Sequence, residues 1–179
     1  ARINQFPELL RLSVGEFVTF GLDGPPSKPI DVLLEEVGLG SGAPAERRLS
    51  PEDVIDSTRR LSGFQRQALR LAQLLARPLP PVVLLDEPDS AMSPEDAAAL
   101  QRVIAERLAG PSTVLLVTHA PQLLPPDTPI AVLARGRVVA TGTHEELLTS
   151  STEYRQLLHE REEAPAPPPP EPPPPIPAA

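Results

Sequence analysis

Pro81-Val82-Val83-Leu84-Leu85-Asp86-Glu87-Pro88 is an apolar strand-forming run that ends in two adjacent carboxylates. An unbroken apolar strand suits burial on both faces, the condition of strands in a parallel sheet, and such sheets present ligands at their C-terminal strand edge, where Asp86 and Glu87 stand. Thr113 to Thr118 is a second strand of the same kind. Between the two, Ser93-Pro94-Glu95-Asp96 predicts a helix start: Ser93 as N-cap, Pro94 preset at the first helical position and acids that favour the helix dipole. That helix should run to about Ala109. Strand, helix and strand in succession predict an α/β domain built on a mainly parallel sheet flanked by helices.

Upstream, a helix is expected from near Ser62 to about Arg77, where Pro78 stops it. Pro29 to Val37 reads as a short helix and Gly38 to Glu46 as a loop. Downstream, Ile130 to Leu133 and Val138 to Thr141 flank Ala134-Arg135-Gly136-Arg137, a β-hairpin pattern turning at Gly136. Thr143-His144-Glu145-Glu146 has the spacing of a capping box that opens a helix over Glu145 to Thr149. From Pro165 to Pro177 nearly every residue is proline, which favours extended polyproline II and supplies neither hydrogen bonds nor apolar surface for a core; the tail from Ala164 to Ala179 is expected to be disordered. No internal repeat is visible.

Composition narrows the function. A formal charge of -8 with Lys28 as the single lysine argues against nucleic acid, because phosphate backbones are held by clustered Lys and Arg. With no cysteine, disulfides and thiolate metal sites are impossible. No apolar run reaches the roughly 20 residues of a membrane-spanning helix, so any membrane link is expected through a partner.

Taken alone, Asp86 and Glu87 have two readings: solvated acids that end a buried strand, or a hydrolase pair in which the first holds Mg²⁺ and the second orients an attacking water. Leu61-Ser62-Gly63-Phe64-Gln65 lies upstream of that pair and Val117-Thr118-His119 downstream of it. Three such motifs in this order resemble the ABC ATPase family: Leu61 to Gln65 its LSGGQ signature, Val82 to Glu87 its Walker B strand and His119 its switch histidine. Ser90-Ala91-Met92-Ser93 occupies the place of the D-loop. Gln5 in Ile3-Asn4-Gln5-Phe6-Pro7 resembles the Q-loop glutamine, and Ser13 to Gly21 the TVRENIxFG pattern that follows it in exporters. Gly142-Thr143-His144-Glu145-Glu146-Leu147 is similar to the exporter GTHEEL ending, so the resemblance covers residues 3 to 160.

The resemblance implies a P-loop NTPase-like fold from the Q-loop onward. It divides residues 1–163 into a Q-loop and helical signature region, about 5–77, and a Walker B to C-terminal part, 78–163. It implies ATP and Mg²⁺ as cofactors, with Glu87 and His119 catalytic, Gln5, Ser62, Gly63, Gln65, Asp86 and Ser90 on nucleotide, and Asp86 and Gln5 on the metal. Ser62 and Gly63 would serve the nucleotide held by a second nucleotide-binding domain packed head to tail, since a helix N-terminus gathers free N–H groups and a favourable dipole. Partner transmembrane domains would place the chain at the cytoplasmic face of the membrane. His144, in the first turn of a capped helix, is read as structural.

Two features depart from the family pattern. No G-x-x-x-x-G-K-[ST] loop is present, and Lys28, between Pro25-Pro26-Ser27 and Pro29, lacks both the glycine-rich approach and the following helix start. In the family that loop lies upstream of the Q-loop glutamine, so it is expected before Ala1, and the isolated chain is expected not to hold ATP. Within the motifs, Phe64 replaces the second glycine of LSGGQ, a large ring where backbone approaches phosphate, and Ser93 stands for the D-loop aspartate. A non-hydrolysing module lending its signature to a complete partner is the alternative these departures leave open.

Overall fold

A computed structural model describes residues 11–55, 61–90 and 92–163. In chain order its elements are β1 (Leu12–Ser13), α1 (Val14–Thr19), α2 (Ile30–Glu36), β2 (Val54–Ile55), α3 (Gly63–Leu75), β3 (Val82–Asp86), α4 (Pro94–Arg107), β4 (Thr113–Val117), β5 (Ile130–Ala134), β6 (Arg137–Gly142), α5 (His144–Ser150) and α6 (Thr152–Glu163). They divide into two compact units, residues 1–128 and 129–179. The expected Q-loop glutamine, Gln5, and the proline-rich tail lie outside the described residues.

Side-chain caps start most of the helices of the first unit. Ser93 accepts from the Asp96 amide at 3.1 Å and Pro94 opens α4, as its sequence predicts. At α3, Ser62 and Gln65 cap each other reciprocally, Ser62 accepting from the Gln65 amide and Gln65 Oε1 from the Ser62 amide. α1 starts on a second such box: Ser13 accepts from the Glu16 amide and Glu16 reaches back to the Ser13 N–H at 2.7 Å. Those bonds, the backbone one foremost, hold the Glu16 carboxyl below its ordinary range.

The core of this unit gathers Val14 and Val18 of α1, Leu33 and Leu34 of α2, Phe64, Leu69 and Ala72 of α3, Leu100 and Ile104 of α4, and Val83 of β3. Each fully buried Leu or Val contributes about 1.5–3 kcal/mol, so α3, which turns Phe64, Ala68, Leu69, Leu71 and Ala72 inward, is the element the other helices pack around.

The α/β expectation holds, with the parallel ladder two strands wide among the described residues: β3 pairs β4 from Val82↔Thr113 to Asp86↔Val117. The other ladders, β1 with β2 and β5 with β6, are antiparallel. Alternation sends Val83 and Leu85 of β3 and Val114 of β4 to the core. The opposite face shows Val82, Leu84, Leu115 and Val117 at 54, 65, 61 and 51% exposure. Parallel strands are ordinarily covered on both faces, so among the described residues this ladder has one apolar face bare.

The second unit is the expected hairpin and its helices. Arg135 and Gly136 take φ of 51° and 73°, the left-handed pair that a two-residue hairpin turn requires. Thr143 and Glu146 form the capping box at α5. His144 Nδ1 meets the Tyr154 hydroxyl at 2.7 Å, and Val132, Leu147 and Tyr154 form a small core, so His144 has the structural place its sequence position suggests. Burial raises the Tyr154 hydroxyl's pKa above its usual value.

Candidate active site at the ends of β3 and β4

Because β3 and β4 are parallel and in register, both chains leave the ladder at the same edge. Asp86 is the last residue of β3, opposite Val117, and its side chain is exposed. Glu87 follows in a left-handed conformation, φ 43°, which costs a non-glycine residue of order 1–3 kcal/mol and persists only where surroundings enforce it. Two backbone bonds enforce it: the Glu87 N–H donates to Val117 O at 2.9 Å, and the Ser90 N–H donates to Glu87 O at 3.1 Å. The turn aims the Glu87 carboxylate across the strand ends at His119, with Oε1 to Nε2 at 3.0 Å. Both side chains stay open to solvent, at 44% for Glu87 and 64% for His119.

Behind this pair lies a buried polar cluster. Asp89 is 5% exposed, and its Oδ2 accepts from the Thr118 hydroxyl at 2.8 Å and from Gln101 Nε2 at 3.1 Å. Thr118 Oγ1 in turn accepts from the Ala120 amide at 2.9 Å. The sequence reading passed over Asp89 and Gln101. Gln101 carried a signal: with Ala97, Leu100 and Ile104 it falls on the buried stripe of α4, where a polar side chain needs a partner.

Of the residues singled out in the sequence, Asp86, Glu87, Ser90 and His119 come together here, while Ser62, Gly63 and Gln65 stand at the start of α3, which packs on α1, α2 and α4. The Gln65 side chain is turned inward: besides capping Ser62 it donates to the carbonyls of Glu46 and Arg47, both at 3.3 Å, and it is 8% exposed. Its amide therefore holds the helix start in place and is not presented at the surface.

Phe64 corrects an expectation. Its ring is 1% exposed, packed over Gly38 with the Arg47 guanidinium 4.6 Å from its centroid, so it does not occupy the space before the helix N-terminus. Lys28 forms an ion pair with Glu36 at 2.6 Å, far in role from a phosphate-loop lysine.

The site is thus a helix-flanked parallel strand pair of an α/β fold, ending in an acid pair with an apposed histidine. Residues 24–124 match the family described as "AAA domain, putative AbiEii toxin, Type IV TA system". The chain belongs to this family of AAA-type ATPase domains, and the curated relatives it matches along most of its length are ABC transporters. The ABC-type oligopeptide transporter ABCB9 of Homo sapiens is 30% identical over 159 residues, 87% of this chain and 20% of that protein. The ATP-dependent lipid A-core flippase of Haemophilus ducreyi is 39% identical over 97 residues, 54% of this chain and 16% of that protein. In fold, the chain is similar to a bacterial Atm1-family ABC exporter with ATP bound, with a TM-score of 0.69 at 21% identity, over 90% of this chain and 28% of that one. The chain thus spans about a fifth of the length of ABCB9.

Proposed function

We propose that this chain is the part of an ABC exporter's nucleotide-binding domain that brings the acid pair, the histidine and the signature helix to ATP hydrolysis coupled to transport. The observation that carries this reading is the 3.0 Å pairing of Glu87 with His119 across the ends of two parallel strands. With Oε1 bonded to His119, Glu87 Oε2 is left to accept a hydrogen bond from a water, orient it and take its proton as a general base. His119 fixes the carboxylate's rotamer and, being exposed, can also reach a phosphate oxygen.

The donor set fits Mg²⁺ held together with a nucleotide. Magnesium takes one or two carboxylates plus phosphate and water oxygens, and Asp86 offers one such carboxylate at the strand end. No group of three or more ligating side chains among the described residues would build an all-protein cage. Bound there, Mg²⁺ would neutralise charge on the phosphate oxygens. Gln5 is proposed as the second protein ligand.

The phosphate cradle is proposed to come from outside these 179 residues, since no G-x-x-x-x-G-K-[ST] occurs in them. The bare face of β3 and β4 supports a further segment covering this ladder. Ser62 and Gly63, at the N-terminus of α3, would face the nucleotide of a second nucleotide-binding domain, and transmembrane domains would hold the pair at the cytoplasmic membrane face. A second reading, a partner module that does not hydrolyse ATP, is favoured by Ser93 at the D-loop position. The inward turn of Phe64 weighs against it, because the signature helix start is left unobstructed.

The test is Glu87→Gln in the intact transporter. Turnover should fall about 100-fold or more while ATP is retained, as expected for loss of a general base. A variant that hydrolyses ATP at the parent rate would refute the assignment.

A further inference from the structure

We propose that Asp89 is a positioning residue for the Glu87–His119 pair, locking together the two loops that carry them. The proposal rests on the reading of Glu87 and His119 as the hydrolytic pair. A carboxylate buried to 5% exposure is costly unless its hydrogen bonds are made, and here a single oxygen, Oδ2, receives two of them. Asp89 lies two residues after Glu87, and Thr118, one donor, lies directly before His119. The other donor, Gln101, is buried on α4, so both loops are tied to a helix within the core.

The geometry needs such a tie. Glu87 is held at φ 43° and its partner stands on another chain segment, so either loop could relax and separate the pair. Thr118 relays the constraint: it donates to Asp89 and accepts from the Ala120 amide, fixing the backbone on both sides of His119. Asp89 acts through the placement of Glu87 and His119.

The experiment uses the intact transporter and compares Asp89→Leu, Asp89→Asn and Thr118→Val with Glu87→Gln. Asparagine can set its carbonyl oxygen in the place of Oδ2 and keep both bonds, whereas leucine keeps the size and loses them. Expected is a fall in kcat of about 10- to 100-fold for Asp89→Leu, the cost of a misplacement near 1 Å, with KM for ATP within about twofold. Asp89→Asn should restore kcat to within about threefold of the parent.

Hydrogen exchange in the nucleotide-free protein gives a readout apart from turnover. The Glu87 and Ala120 amides should exchange faster in Asp89→Leu, with Leu85 and Leu116 in the ladder unchanged. If Asp89→Leu does not fold, Thr118→Val, which removes one donor from the same carboxylate, decides by kcat and by exchange at Glu87; Ala120 is left out because its own acceptor, Thr118 Oγ1, is gone. Parent-like kcat and exchange in the folded variant, or loss of kcat in Asp89→Asn equal to that in Asp89→Leu, would overturn the proposal. Should Glu87→Gln itself hydrolyse ATP normally, the hydrolytic reading fails, and the exchange data alone then judge whether Asp89 ties the loops.

Discussion

Restoring the family's glycine at position 64 should unfold this protein instead of improving it. The Phe64 ring is 1% exposed, packs with the core of α1, α2 and α3 and lies over Gly38, whose φ of 74° brings bare backbone beneath it. Truncating a buried Phe to Ala costs about 3–5 kcal/mol. Going on to Gly in the first turn of α3 adds about 0.5–1 kcal/mol. The loss of the ring beneath Arg47, 4.6 Å away, adds about 0.5–1 kcal/mol more. A total of about 4–7 kcal/mol rivals the whole stability of many domains. Pulse proteolysis across a urea series measures this at concentrations low enough to limit self-association through the bare face of Leu84 and Leu115. With a urea slope of about 1–3 kcal/mol per M, Phe64→Gly should lower the midpoint by about 2 M or leave no folded fraction. Phe64→Leu, which keeps most of the volume, should cost only about 1–2 kcal/mol. A Phe64→Gly midpoint within about 0.3 M of the parent would show that the ring is not the core element described here.

The bare sheet face predicts self-association of the isolated chain. Placing Arg at Leu84 and Glu at Leu115, direct neighbours in the ladder, should shift sedimentation profiles towards monomer without lowering the unfolding free energy from urea titration by more than about 1 kcal/mol. Unchanged association would locate the sticky surface elsewhere. Ser93→Ala removes the cap of α4 and should cost about 1 kcal/mol in thermal or urea unfolding, while a neutral result would deny the cap a role. Tyr154 is the single tyrosine, so absorbance at 295 nm reads its ionisation alone. Its midpoint should lie above the ordinary value of about 10, because burial favours the neutral phenol. Since the unfolded chain ionises first, the second unit should lose stability as pH rises above that ordinary value and keep it below, and a normal midpoint would refute this.

The elements legible in the sequence were those written in local chemistry. Ser93-Pro94 and Thr143 with Glu146 specify helix starts through their own side chains, and Val82 to Asp86 and Thr113 to Val117 could be read as strands from composition and spacing. The Ser13 and Glu16 box was also written there, yet α1 went unread because Gly15 and three β-branched residues in its six lower helix propensity; packing of Val14 and Val18 overrides it. Phe64 was misread because motif comparison gives a position and not a direction. That the residue after Gly63 faces the core follows from the phase of Ala68, Leu69 and Ala72 along α3. The left-handed Glu87 had no sequence signal, since glutamate, unlike glycine, asparagine or aspartate, is not among the residues that favour that conformation.

These observations connect in the way the site is held rigid. A two-stranded ladder is marginal by itself, and β3 with β4 has one face covered by the core and one face bare among the described residues. Besides the Glu87 N–H to Val117 O bond, the edge where Glu87 and His119 meet is held from below. The Asp89, Thr118 and Gln101 bonds run below that edge to α4, whose Leu100 and Ile104 are buried in the main core. Precision at the acid and histidine is thus anchored in a helix and not in the breadth of the sheet, and loosening α4 should disturb the pair more than solubilising substitutions on the bare face.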